Sequence, residues 1–151
     1  MDDVDKLLAQ IRANGDEVWI AGPQPAAAVA ELESALRVSM PPSYRSFLER
    51  FGGMKIFDTA ISGIIDGQAL GDGPGWVFGD TQRFRDENNL PHHLVVIQAD
   101  EDAPYCLVTN RPKSGGEYPL VSYDLETGDI ERLADSFGTW FVKWLRFQAE
   151  E

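Results

Sequence analysis

Met40-Pro41-Pro42-Ser43-Tyr44-Arg45-Ser46-Phe47-Leu48-Glu49-Arg50-Phe51-Gly52-Gly53 is the stretch whose reading decides the fold. Pro42 suits the first position of a helix, where its missing N–H would have no partner and its fixed φ is already helical. From there Tyr44, Phe47, Leu48 and Phe51 recur at i, i+3, i+4 and i+7, which puts them on one apolar face. Gly52-Gly53 ends the run, because glycine enters the left-handed conformation of a helix C-cap without steric cost. The segment predicts a helix with one face buried in a core.

Upstream, Val4, Leu7, Leu8 and Ile11 give residues 4–13 the same helical spacing, and Asn14-Gly15 supplies the stop. The short apolar stretch Val18-Trp19-Ile20 precedes a break at Gly22-Pro23-Gln24-Pro25. Pro25 then suits the first turn of a helix through Leu36, with Val29, Leu32 and Leu36 as its buried stripe. Downstream of Gly53 the period shortens. Apolar segments at 54–57 and 60–65 lead to the glycine-rich loop Gly71-Asp72-Gly73-Pro74-Gly75 and a polar stretch, 80–90, that reads as a surface helix.

Leu94 to Ile97, Tyr105 to Thr109, Leu120 to Tyr123 and Ile130 to Leu133 read as strands, parted by turn clusters such as Lys113-Ser114-Gly115-Gly116 and Thr127-Gly128-Asp129. Short links between successive strands imply antiparallel pairing. Ser136 is a candidate N-cap for a last helix striped with Phe137, Trp140, Phe141, Trp144 and Leu145. The expected class is α+β: N-terminal helices, a central, mainly antiparallel sheet and a C-terminal aromatic-striped helix. No repeat or linker divides the chain, so residues 1–151 are expected to form one domain.

Composition narrows the functions. The 151 residues are 43% apolar, well clear of the low-hydrophobicity sequences that stay disordered. Thirteen basic against twenty-five acidic residues give a net charge of −12, which argues against nucleic acid or an anionic membrane as partner. A basic protein partner is compatible with it. The single Cys106, within Tyr105-Cys106-Leu107-Val108, reads as a buried, unreactive thiol. Met1-Asp2-Asp3-Val4-Asp5 is acidic where a signal peptide would be basic, and no apolar run reaches membrane-spanning length, so a reducing cytoplasm is expected.

Motifs of catalysis are lacking. The loop at 71–75 has neither a Gly-Lys-Ser/Thr ending nor dinucleotide spacing. Adjacent His92-His93 would not aim both rings at one metal, and Asp100-Glu101-Asp102 lacks the alternating ligand positions of a calcium loop. No serine sits in a nucleophile elbow. Catalytic residues, cofactors and metals are therefore not expected.

The segment from Met40 to Gly53, with a proline, an aromatic, Phe-Leu and closing glycines, resembles the hallmark of the SUKH superfamily, the Smi/Knr-type domains. Val95-Val96-Ile97, an acidic turn, Tyr105-Cys106-Leu107, Pro119-Leu120-Val121-Ser122-Tyr123-Asp124 and the Ser136-Phe137 helix with Trp140 follow in the family's order. The resemblance spans most of the chain from about residue 26. It implies an α+β domain used in bacteria mainly as an immunity protein that binds and neutralises a cognate polymorphic toxin, often a nuclease. It carries over no catalytic residue.

The expected function is therefore toxin neutralisation through an acidic surface that competes with the toxin's anionic substrate. The acids in predicted loops, Asp66, Asp72, Asp100, Glu101 and Asp102, are the candidate contacts with a basic toxin. A general interaction or regulatory module of the same fold is the alternative, ahead of an enzyme with an unrecognised site.

Overall fold

The computed structural model describes residues 2–150; Met1, which opens the acidic N-terminal run, and Glu151 lie outside it. Helix α1 (Asp3–Ala13) begins where the Asp2 carboxylate accepts the N–H of Asp5 at 2.9 Å, capping an otherwise unpaired donor. It packs against the last helix, and the Asn14 side-chain amide donates to the Ala149 carbonyl at 2.9 Å. Strand β1 (Val18–Ile20) follows, then α2 (Ala26–Leu36), for which Pro25 is the N-cap rather than a residue of the first turn.

Helix α3 (Pro42–Arg50) starts at Pro42 and buries Tyr44, Phe47 and Leu48. Phe51 follows as its C-cap and is buried as well. Gly52, at φ +74, lets the chain reverse into the hairpin of β2 (Met54–Ile56) and β3 (Thr59–Ile61). Two backbones meet here: a Cβ on Gly63 would fall inside the Gly52 carbonyl.

Helix α4 (Val77–Asn88) precedes strands β4 (Leu94–Gln98), β5 (Tyr105–Val108), β6 (Leu120–Tyr123) and β7 (Ile130–Ala134). Ser136 caps α5 (Phe137–Ala149) by accepting the Thr139 N–H at 3.1 Å.

Instead of one central sheet there are two, both antiparallel, ordered β1-β2-β3 and β4-β5-β6-β7. The chain leaves β3 after Ile61, and the sheets meet where the Ser62 N–H donates to the Ile97 carbonyl at 2.8 Å. At the same seam Val96 donates its N–H to the Thr81 hydroxyl at 3.0 Å, so a helix side chain replaces a strand partner.

Of the residues 80–90 expected as a surface helix, 80–88 do belong to a helix, but it also covers a sheet face. Val77, Gly79, Asp80, Thr81 and Phe84 of α4 are buried. Alternation along β4 explains why: Val95 and Ile97 face the main core, while Leu94 and Val96 face a second core with Phe84, Cys106, Val108 and Val121. A strand covered on both faces reads as a continuous apolar run.

The main core is aromatic. Phe137 lies 4.9 Å from Tyr44 and 5.2 Å from Phe47, ring centre to ring centre, both edge to face. Phe47 also meets Phe141 at 5.2 Å. The stripes of α3 and α5 therefore bury each other, and each large side chain so covered contributes about 1.5–3 kcal/mol. Among the described residues, no helix is long and apolar enough to cross a membrane.

Candidate functional site

Where the two sheets meet, a cleft of about 540 Å³ opens between the β2–β3 turn, the Pro74-Gly75 loop, the start of α4 and the turn after β4. Its residues come from four separate parts of the chain, and Asp80 carries its buried charge. Asp80 is 2% exposed, accepts the Ser62 hydroxyl at 2.6 Å and the Gly75 N–H at 3.3 Å, and lies 3.6 Å from Arg83. Burial pushes its carboxyl above the ordinary range, against the opposing pull of Ser62, Arg83 and Gly75.

The support under Asp80 comes from α3. Tyr44, fully buried, donates its hydroxyl to the Ser62 carbonyl at 2.6 Å, fixing the residue whose side chain holds Asp80. Burial first, and the nearby Asp80 charge second, push the Tyr44 phenol well above its ordinary value, so it stays a donor. The hallmark segment thus positions the floor of the cleft as well as the core.

The rim is acidic. Asp58, Asp100 and Glu101 are exposed around the opening, so with Asp80 the cleft has four carboxylates against one cation, Arg83. Arg83 is held over the Phe84 ring at 4.8 Å, beside Asp80. The Asp100 carboxylate accepts the N–H groups of Asp102 and Ala103, both at 3.0 Å, which fixes the turn carrying these acids. Such a site favours an ammonium or guanidinium group and repels anions.

Of the five acids singled out from sequence, Asp100 and Glu101 line the cleft together. Asp102 shares their turn and is exposed, but lies outside the lining. Asp66, in the left-handed turn at φ +57, and Asp72, in the glycine loop, are exposed and also lie outside it. Asp58, Ser62, Asp80 and Arg83 were not legible as a group, since strand pairing and the packing of α4 bring them together. One signal was present: Trp76-Val77-Phe78 begins the helix apolar, three residues before the expected start at 80.

Neither His92 nor His93 lines this cleft; their backbone carbonyls accept from Arg85 at 2.8 Å and Thr109 at 2.9 Å. Among the described residues no group of three His, Cys, Asp or Glu side chains is placed to hold a metal ion. Cys106 is buried, and burial pushes its thiol far up.

Two antiparallel sheets and an aromatic-striped terminal helix define an α+β domain, with an acidic cleft at the sheet seam. The chain belongs to the SUKH superfamily: the family model described as SUKH_5, SMI1-KNR4 cell-wall, matches residues 4–146. It is also similar to the "Uncharacterized protein YnaB" of Bacillus subtilis (strain 168), 27% identical over 120 residues that cover 75% of this chain and 70% of that protein. Domains of this family are in general immunity or regulatory modules rather than enzymes.

Proposed function

We propose that this chain is an immunity protein that neutralises a cognate protein toxin by receiving a basic side chain of the toxin in the acidic cleft. The observation that carries the reading is the set of Asp58, Asp100 and Glu101 around the opening above buried Asp80. A nuclease binds its anionic substrate with lysines and arginines, and a preformed acidic surface competes for those same groups. The net charge of −12 extends the attraction beyond the cleft.

Family membership supports protein binding. The cytoplasm is the compartment in which such a protein would meet its toxin and keep Cys106 reduced.

Co-expression with an adjacent gene encoding a toxin-like C-terminal domain tests the reading. The wild type should co-purify with that domain and restore growth. Asp58→Lys combined with Glu101→Lys should abolish protection while leaving the melting temperature within a few degrees, since both residues are exposed and the Asp100 carboxylate that fixes the turn is kept. Full protection by the doubly reversed variant would contradict the cleft as the binding site.

A further inference from the structure

Strand β1 and the β2–β3 turn carry two large aromatic side chains that the fold leaves uncovered: Trp19 is 45% exposed and Phe57 47%. Trp19 lies opposite Lys55 across the sheet, and Glu17, Trp19, Lys55, Phe57 and Asp58 surround a depression of about 310 Å³. Phe57 is also held at φ +55. For a bulky residue that conformation is strained, and glycine or asparagine is the usual occupant of such a turn position. Neither burial nor backbone geometry accounts for phenylalanine there. An exposed aromatic kept at a strained position points to a contact with another molecule.

Asp58 lines both this depression and the acidic cleft, so the two form one continuous surface. We propose that Trp19 and Phe57 are the apolar anchor of that surface, for a protein partner that sets an aliphatic side chain against the pair and an arginine or lysine in the cleft. The inference rests on the protein-binding reading above.

Charge selects the occupant. A second copy of this chain would bring another net −12 toward the acidic rim, whereas a cationic partner is drawn to it. Aromatic anchors of this kind, surrounded by charged residues, carry a large share of affinity in protein interfaces.

The test uses the full ¹⁵N-labelled chain and two synthetic peptides, acetyl-Leu-Gly-Arg-amide and the control acetyl-Leu-Gly-Glu-amide. The arginine peptide should shift the amides of Asp100 and Glu101 and the indole N–H of Trp19, and the control should shift none of them. Phe57→Asn should keep the shifts at Asp100 and Glu101, reduce the Trp19 response at least about five-fold, and melt no lower than wild type, because asparagine tolerates the left-handed conformation. Shifts at Asp100 and Glu101 with none at Trp19, or an unchanged Trp19 response in Phe57→Asn, would overturn the anchor while leaving the cleft reading intact. A lower melting temperature for Phe57→Asn would make Phe57 structural and overturn the anchor as well. Silence at all three positions would overturn both. A dimer in sedimentation that Phe57→Asn dissociates would assign the surface to a second copy and also overturn the proposal.

Discussion

Ser62 donates its hydroxyl to Oδ2 of buried Asp80 at 2.6 Å, tying the end of β3 to the first turn of α4 beneath the acidic cleft. Burial raises the Asp80 pKa above its ordinary 3.8, so in the window above 3.8 the folded protein holds a proton that the unfolded chain has released. The stability linked to that proton is complete below 3.8 and is lost as pH rises through the folded-state value. Asp80→Asn keeps the acceptor for Ser62 but removes the buried charge. It should melt higher than wild type near neutral pH and flatten the pH dependence of melting above the ordinary carboxylate value of 3.8. A lower melting temperature at neutral pH would show that the ion pair with Arg83 outweighs burial.

Trp140→Ala should destabilise the domain by about 3–5 kcal/mol, since Trp140 is buried and packs 5.9 Å from Phe137 and 6.0 Å from Trp144. Denaturant unfolding measures it, with an unchanged midpoint as the contrary result.

Gly63→Ala should be more damaging than its single added methyl suggests, because the new Cβ would fall inside the Gly52 carbonyl. A loss of about 4 kcal/mol or more, or failure to fold, is expected in the same assay. Gly67→Ala, where a Cβ would meet open space at φ +70, is the control and should lose only about 1 kcal/mol from backbone strain.

Native protein at mildly alkaline pH should leave Cys106 unmodified by a thiol reagent, because the thiol is buried and its pKa is pushed far up. Modification should appear with unfolding in denaturant. Rapid labelling of the folded protein would show that β5 opens locally.

The parts of this fold legible in the sequence are those where one period runs unbroken. Tyr44, Phe47, Leu48 and Phe51, and likewise Phe137, Trp140, Phe141, Trp144 and Leu145, sit at helical spacing, and all are buried. Residues 80–90 were legible as a helix with an exposed side, but its buried face was not, because Asp80 and Thr81 look like surface residues. They are buried since Ser62 pairs with one and the Val96 N–H with the other, partners far away in the chain. The site followed the same logic. Asp100 and Glu101 were recognisable as acids in a turn, whereas Asp58, Asp80 and Arg83 join them through tertiary contacts that no local spacing encodes.

The central claim, that the acidic cleft meets a basic partner, is tested most directly by stopped-flow association with the cognate toxin domain at several ionic strengths. Opposite charges should raise the association rate above the roughly 10⁵–10⁶ M⁻¹s⁻¹ of an unsteered pair at low salt, and added salt should lower it. Replacing Asp58, Asp100 and Glu101 together with their amides should remove most of that salt dependence, with a smaller effect on dissociation. A rate that does not change with salt, and is the same for the triple variant, would contradict the account.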